Sequence, residues 1–184
     1  MPVIDRTEVP ITEFTLSNTR LSDKVSKNFS VAELVRSETA LRRRIPNWFA
    51  SDKELQNAVY LCRTILQKLR DNFGAITPNS VYRSQALERA LKGRTIRWVS
   101  KSQHTKGQAV DLEIPWVSNF DLASWIVKNL KTDQVILECY DPDIPGSGWV
   151  HVSLTDGVNR GEVLSYIASG GKYIYVKGLV ADNG

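Results

Sequence analysis

One long stripe of apolar residues constrains this chain more than any other feature. Ser51-Asp-Lys-Glu54 has the form of a helix capping box, and apolar residues then recur every three or four positions. Gly74 follows directly, and glycine is the usual residue where a helix ends. The pattern predicts a core helix whose buried face is formed by Leu55, Ala58, Val59, Cys62, Ile65, Leu66, Leu69 and Phe73.

Shorter elements are predicted on both sides of this helix. Ser30-Val-Ala-Glu33 is another capping box, so a helix is expected to begin there. After the core helix, residues 75–82 predict a strand entered through Thr77-Pro78, and residues 84–91 predict a short helix. The basic, glycine-containing stretch 93–101 is expected to be a loop.

The later part of the chain favours strands. A helix capped by Ser118 and reaching about Leu130 is the one helical segment predicted there. Ser169-Gly170-Gly171 is a hairpin signal between the last two strands. Helices first and then an antiparallel sheet packed against them predict an α+β fold. The predicted strands of this part are 108–114, 134–139, 148–154, 163–167 and 173–176.

Bulk properties indicate one domain and exclude several classes. With 184 residues, 42% of them hydrophobic, the chain can close a real core, and we expect a monomer. Residues 1–28 are polar and lack a period, so they predict an extended arm before a single domain over 29–184. No apolar run reaches the roughly 18 to 20 residues that a membrane span needs.

Charge and cysteine content add weaker information. Asp5, Arg6 and Glu8 stand where a signal peptide would be apolar, so we expect synthesis in the cytoplasm without a signal peptide. Cys62 and Cys139 form no Cys-x-x-Cys pair and are expected to be buried free thiols. The net charge of +4 is compatible with nucleic-acid binding, but that function leaves the histidine motifs below unexplained, so we expect no nucleic-acid partner.

The chain has only two histidines, and each lies in a distinctive string. These are Ser102-Gln-His104-Thr-Lys-Gly107-Gln-Ala109-Val-Asp111 and Gly148-Trp149-Val-His151-Val-Ser153. Gly107 permits a tight turn after His104, and Asp111 then shares a strand face with Ala109. If the two strands are neighbours, His104, Asp111 and His151 can converge. Two imidazoles and one carboxylate with an open fourth position are typical of a catalytic zinc site.

Together with Val81-Tyr82-Arg83-Ser84, these strings resemble the zinc D-alanyl-D-alanine carboxypeptidases and phage endolysins, a group with the hedgehog-type fold. The motif Ser-x-His-x-x-Gly-x-Ala-x-Asp matches at every fixed position, and the likeness runs from about Phe29 through Ser153. The resemblance implies that His104, Asp111 and His151 bind Zn²⁺. It also implies hydrolysis of an amide in the peptidoglycan stem peptide, at the bacterial cell wall, by a carboxypeptidase or an endopeptidase.

The resemblance further implies that Arg83 steadies the substrate as negative charge develops, a task that suits a permanently charged, forked guanidinium. The alternative for Arg83 is a surface ion pair. Many relatives place the catalytic acid three residues before the last zinc histidine, where this chain has Gly148. Glu138, a charged residue in an apolar strand, is the best candidate for the general base, and Asp141 and Asp143 are the alternatives. Because of Gly148, a non-catalytic, zinc-containing virion or wall-binding module remains the second functional hypothesis.

Overall fold

The computed structural model describes residues 3–144 and 146–181. They belong to two compact units, one formed by 1–76 with 80–110 and the other by 77–79 with 111–184. Within the described ranges, no helix is both long and apolar enough to cross a membrane.

The first unit is built on the long helix that the apolar stripe predicts. It consists of α3 (Asp52–Leu61), one π-helical stretch (Cys62–Leu66) and α4 (Gln67–Phe73). The Ser51 side chain accepts a hydrogen bond from the Glu54 N–H, and Gly74 ends the helix with a φ of 84°. The prediction is confirmed at both ends, but the π-helical stretch is additional and Phe73, predicted on the buried face, is only half-buried.

The same unit contains shorter helices. They are α1 (Val31–Val35), α2 (Glu38–Arg43) and α5 (Gln85–Lys92), with one-turn 3-10 segments at Ile11–Glu13 and Gln103–Lys106. The capping box at Ser30 is present in full, and the Ser84 side chain accepts from the Leu87 N–H, so both predicted helices are confirmed. Residues 93–101 form the predicted loop.

The strand predicted over 75–82 is wrong. Within 75–82, Ser80 alone forms a β-bridge, and the other residues lie in bends or irregular backbone. The Tyr82 N–H donates to the Leu34 carbonyl and the Asn79 N–H to the Asp111 carbonyl. The backbone of this segment is therefore satisfied by separate partners and not by one neighbouring strand.

The N-terminal segment has buried side chains of its own. Phe14 and Val25 are fully buried. The Arg63 guanidinium, from the π-helical stretch, donates to the carbonyls of Arg6 at 2.7 Å, Val9 at 2.8 Å and Val25 at 2.7 Å. One side chain thus satisfies three carbonyl groups of a segment that has little regular structure.

A five-stranded sheet with the order β1-β3-β2-β4-β5 dominates the second unit. Its strands are β1 (Ala109–Leu112), β2 (Gln134–Glu138), β3 (Trp149–Ser153), β4 (Glu162–Ser169) and β5 (Lys172–Lys177), and α6 (Asn119–Asn129) lies between β1 and β2 in sequence. The predicted α+β fold is confirmed, as are the five later strands and the helix after Ser118. The pair β2 and β4 is parallel, however, and not antiparallel. β3 and β4 flank β2 and run in opposite directions, so only one of them can be antiparallel to β2.

The register of the sheet decides which side chains share a face. Ile136 lies opposite His151, and Glu138 lies opposite Trp149. These four side chains therefore point to one face of the sheet, because residues directly opposite in neighbouring strands share a face. The other face of these strands carries four buried aliphatic residues, namely Val135, Leu137, Val150 and Val152.

Candidate metal centre

Asp111 and His151 form a close pair on neighbouring strands. The Nδ1 atom of His151 lies 2.9 Å from an oxygen of the Asp111 carboxylate, and each residue is only 9% exposed. β1 is the neighbour of β3 in the sheet, as the sequence analysis required. A ring nitrogen and a carboxylate oxygen, both possible metal ligands, thus meet in a mostly buried position, where water competes weakly for a bound ion.

His104 is held in a defined orientation inside the first unit. It is buried within the 3-10 segment that precedes β1, and its Nδ1 atom lies 2.8 Å from the carbonyl of Val81. A carbonyl only accepts, so Nδ1 carries the proton and Nε2 carries the lone pair. A histidine whose second nitrogen donates to a backbone carbonyl is the usual arrangement for a metal ligand.

Gly107 explains how the chain can turn directly after His104. Its φ is 68°, a left-handed conformation, and a Cβ atom there would overlap the Glu54 carbonyl oxygen and lie 3.0 Å from the Ala58 nitrogen. The Asn57 side chain also donates to the Lys106 carbonyl at 2.9 Å. The turn after the histidine is therefore fitted closely to the start of the core helix.

Among the described residues, His104, Asp111 and His151 form a group that could hold a metal ion. Each offers one ligand atom, and these atoms all lie within 4.8 Å of one another. Two imidazoles and one carboxylate suit Zn²⁺, and three protein ligands leave a position open for water or substrate.

Arg83 forms an ion pair with a buried carboxylate. Its guanidinium donates to the Ser80 hydroxyl at 2.7 Å and to the Glu88 carboxylate at 3.3 Å. The Glu88 side chain is only 1% exposed, so the partner is a buried carboxylate. The Arg83 backbone N–H donates to the His104 carbonyl, which places this residue beside the histidine motif.

Glu88 is a partner of Arg83 that was not predicted from the sequence. It lies on α5 between the buried Leu87 and the half-buried Arg89. A charged side chain on a short helix normally points to solvent, so its burial was not expected. The available signal was its spacing, since Glu88 follows Arg83 by five residues across a predicted helix start. That spacing is common enough to carry little information by itself.

Glu138 is the last residue of β2 and shares the sheet face of His151. It is partly buried and lies opposite Trp149 on one side and Tyr166 on the other. Burial is the main cause that raises the pKa of Cys139, and the charge of Glu138 raises it further. The same two causes, in the same order, raise the pKa of Tyr175. Glu138 therefore supplies negative potential on this part of the sheet.

The other two candidate bases lie in the loop between β2 and β3. The Asp141 carboxylate accepts a hydrogen bond from the Asp143 N–H at 3.0 Å, and the Asp141 N–H donates to the Ser147 hydroxyl. Asp143 itself is exposed. These contacts are those of ordinary turn residues, in which an aspartate organises the backbone two positions later.

Gly148, at the position where many relatives carry an acid, has no room for a side chain. Its φ is 66°, and a Cβ atom would overlap the Glu138 carbonyl oxygen and lie 2.7 Å from the Cys139 carbonyl carbon. The buried Asn119 side chain fixes this stretch by donating to the carbonyls of Ser147 at 2.9 Å and Gly148 at 3.1 Å. Glycine is therefore a structural requirement here.

A paired histidine and aspartate beside a second oriented histidine, on an α+β scaffold, define the kind of site that metal-dependent hydrolases use. Comparison with known families agrees, because residues 27–153 match Peptidase M15. This span is well over half of the chain, so the chain belongs to the Peptidase M15 family, a family of metallopeptidases that are typically zinc-dependent. No curated protein and no solved structure matches the chain.

Proposed function

We propose that this protein is a zinc peptidase that hydrolyses an amide bond in the peptidoglycan stem peptide. The observation that carries the proposal is the Asp111–His151 pair with His104 completing a zinc-type ligand set, in a chain of the Peptidase M15 family. The resemblance of the histidine strings to D-alanyl-D-alanine carboxypeptidases and phage endolysins supports the wall peptide as substrate.

His104, Asp111 and His151 would hold the ion, and their chemistry fits it. His104 would bind through Nε2, because its Nδ1–H donates a hydrogen bond to the Val81 carbonyl. His151 would bind through Nδ1, the atom that lies next to the Asp111 carboxylate. Bound zinc would lower the pKa of a water molecule toward 7 and polarise the substrate carbonyl. The Asp111 carboxylate offsets part of the charge of the cation.

Glu138 is the group that we propose as general base. It shares a sheet face with His151 and lies two positions along β2 from Ile136, the residue directly opposite that histidine. The close contact of Gly148 with the Glu138 backbone adds a second argument. Position 148 lies directly beside the backbone of Glu138, and we propose that the Glu138 carboxylate takes the role of an acid that position 148 cannot carry.

Arg83 is proposed to bind the substrate carbonyl or carboxylate as negative charge develops on it. A guanidinium has five N–H donors in a planar fork, a geometry that suits a carbonyl or carboxylate oxygen on which negative charge develops. The buried Glu88 carboxylate would hold the fork in place. Glu88 is thus a positioning residue, and Arg83 is the residue that contacts the substrate.

The proposed setting is the bacterial cell wall, with the protein acting as a monomer in the manner of a phage lysin. Purified protein loaded with one equivalent of Zn²⁺ and incubated with insoluble murein should release fragments that mass spectrometry assigns to a cut amide. Release of terminal alanine would identify a carboxypeptidase, and separation of cross-linked stems would identify an endopeptidase. Intact murein after incubation with the zinc-loaded protein would refute the proposal.

The second candidate is a zinc-containing virion or wall-binding module without catalysis, favoured only by glycine at position 148. Such a protein would sediment with murein and leave its composition unchanged. The Glu138→Gln variant is the matched control. It should sediment with murein as the wild type does under either hypothesis. If the wild type is an active peptidase, only the wild type should release products.

A further inference from the structure

Three tyrosines form a continuous cluster on the β4–β5 hairpin. The rings of Tyr166 and Tyr173 are stacked with centroids 5.2 Å apart, and those of Tyr166 and Tyr175 lie 4.5 Å apart. The hairpin is closed by Gly170-Gly171, both with positive φ, as the sequence predicted. We call these three residues the aromatic shelf.

The aromatic shelf lies on the same sheet face as Glu138 and His151. Tyr166 is directly opposite Glu138 in the parallel pair, and Tyr175 is directly opposite Tyr166 in the hairpin. Residues that face each other across strands share a face, so the face that carries His151 and Glu138 continues onto Tyr166 and Tyr175. All of these residues belong to the second unit.

The shelf is unusually open for a cluster of aromatic rings. Tyr173 is 53% exposed and Tyr175 is 58% exposed. Rings that served only to stabilise a core would be expected to bury far more of their surface, and exposed aromatic groups commonly mark binding surfaces. The hairpin also lies beyond residues 27–153, so the shelf is an addition to the part that matches the family.

We propose that the aromatic shelf binds a sugar ring of the glycan strand to which the stem peptide is attached. This proposal rests on the proposed function, because it assumes that a wall peptide occupies the face beside Glu138. A pyranose ring presents one face of C–H groups that packs against a flat aromatic ring, and its hydroxyl groups can pair with phenolic O–H groups at the rim. An open, uncharged set of rings fits a neutral sugar better than a charged peptide end.

The distance along the sheet gives the proposal a second, independent consequence. His151 and Tyr175 lie on strands separated by three interstrand steps, a distance of about 14 Å. An extended peptide covers that distance in about four residues. If a sugar binds to the aromatic shelf, the amide bond that is cut should therefore lie near the end of the stem peptide that is remote from the glycan.

Two substrates that differ only in the sugar test the proposal. One is the stem peptide joined to the GlcNAc-MurNAc disaccharide, and the other is the same peptide without sugar. The quantity compared is kcat/KM for the substrate with sugar divided by kcat/KM for the substrate without sugar. We expect Tyr175→Ala and Tyr173→Ala each to reduce this ratio by about tenfold, mainly through a higher KM for the substrate with sugar. Tyr175→Phe should restore most of the ratio, since it keeps the ring.

Ile174 supplies a matched control on the same strand. It lies between Tyr173 and Tyr175, points to the opposite face of the sheet, and is 43% exposed. Ile174→Ala should leave the ratio unchanged. A tyrosine variant that lowers kcat/KM equally for both substrates would overturn the carbohydrate proposal, and so would one that lowers neither. Cleavage of the amide adjacent to the sugar by the wild-type protein would also contradict it.

A binding measurement separates failure of this proposal from failure of the proposed function. The GlcNAc-MurNAc disaccharide, with its lactyl carboxyl group capped as a simple amide and no further peptide, is titrated into the full zinc-loaded chain, and the backbone amide chemical shifts of β4 and β5 are followed by NMR. Shifts that are lost in Tyr175→Ala would support the shelf even if no amide were cut. If the protein hydrolyses murein but the disaccharide causes no chemical-shift changes in the hairpin, the peptidase function would stand and the sugar-binding proposal would be rejected.

Discussion

Glu138 and Gly148 meet where β2 ends and β3 begins, so closely that any side chain on Gly148 would overlap the Glu138 carbonyl oxygen. The backbone of Glu138 therefore excludes an acid, or any other side chain, from position 148. A chain that packs its two strands this closely cannot carry a side chain at 148.

Glu138→Gln should retain the fold and zinc but lower kcat by about 100-fold or more, because an amide cannot take up the proton. The defect should appear in turnover and not in substrate affinity, and metal analysis with steady-state kinetics measures both. Asp143→Asn, in the exposed loop, is the control and should have little effect. If the Glu138 variant is fully active and Asp143→Asn is inactive, the general base lies in the loop and not on β2.

Removal of a ligand should remove the ion. His104→Ala, Asp111→Ala and His151→Ala should each reduce bound zinc from about one equivalent to a small fraction, with loss of murein hydrolysis. Circular dichroism checks that the variants fold. Zinc content that stays near one equivalent in any of the three variants would exclude that residue from the ligand set.

Arg83→Ala should keep zinc and fold while kcat/KM falls by about 100-fold, because the loss concerns charge on the substrate. Glu88→Gln tests the positioning role, since the amide retains an acceptor oxygen but not the charge. We expect a smaller loss with a higher KM for this variant. If Glu88→Gln lowers the melting temperature but leaves kcat and KM unchanged, Glu88 contributes to stability alone.

Gly148→Ala should destabilise the protein by at least about 1 to 3 kcal/mol, because alanine is strained at this φ and its Cβ overlaps the backbone of β2. Gly146→Ala, where an added Cβ meets nothing within 4 Å, is the control in the same loop. Urea denaturation of both variants measures the difference. Equal stability would show that the two strands can separate at little cost.

Cys62 should resist alkylation in the native protein, because burial raises its pKa from 9.0 to about 12. Iodoacetamide near pH 8 should modify Cys139, which is only partly buried, and leave Cys62 intact until the chain unfolds. Since the folded state favours the neutral thiol, this contribution to stability is complete below about pH 9 and is lost as the pH rises toward 12. Peptide mapping of both sites by mass spectrometry gives the result, and rapid native labelling of Cys62 would contradict it.

The sequence was informative where local chemistry determines structure. The capping residues Ser30 and Ser51 and the glycine turn at 170–171 are local signals, and all three structures formed as expected. The segment 75–82 was different, because its backbone partners are Leu34 and Asp111, residues remote in the chain. The parallel pairing of β4 with β2 likewise depends on which edge of the sheet the chain reaches after β3.

The same limit applies to the candidate site. Motif spacing identified His104, Asp111 and His151, since each lies in a recognisable string. The ion pair of Arg83 with Glu88 and the two bonds from Asn119 to the Gly148 stretch depend on tertiary packing, which leaves little trace in spacing. The overlap that excludes a side chain from position 148 can be found only once β2 and β3 are paired.

The π-helical stretch at Cys62–Leu66 has a consequence for comparing related sequences. There the Gln67 N–H donates to the Cys62 carbonyl, five residues back. The helix therefore contains one residue more than a regular α-helix with the same number of turns. A deletion of one residue here would convert the stretch to α-helix while Leu61 and Leu69 kept their buried sides. Deletion of a single residue at this point should therefore be tolerated, so a one-residue gap here is expected when this chain is aligned with a relative whose helix is regular.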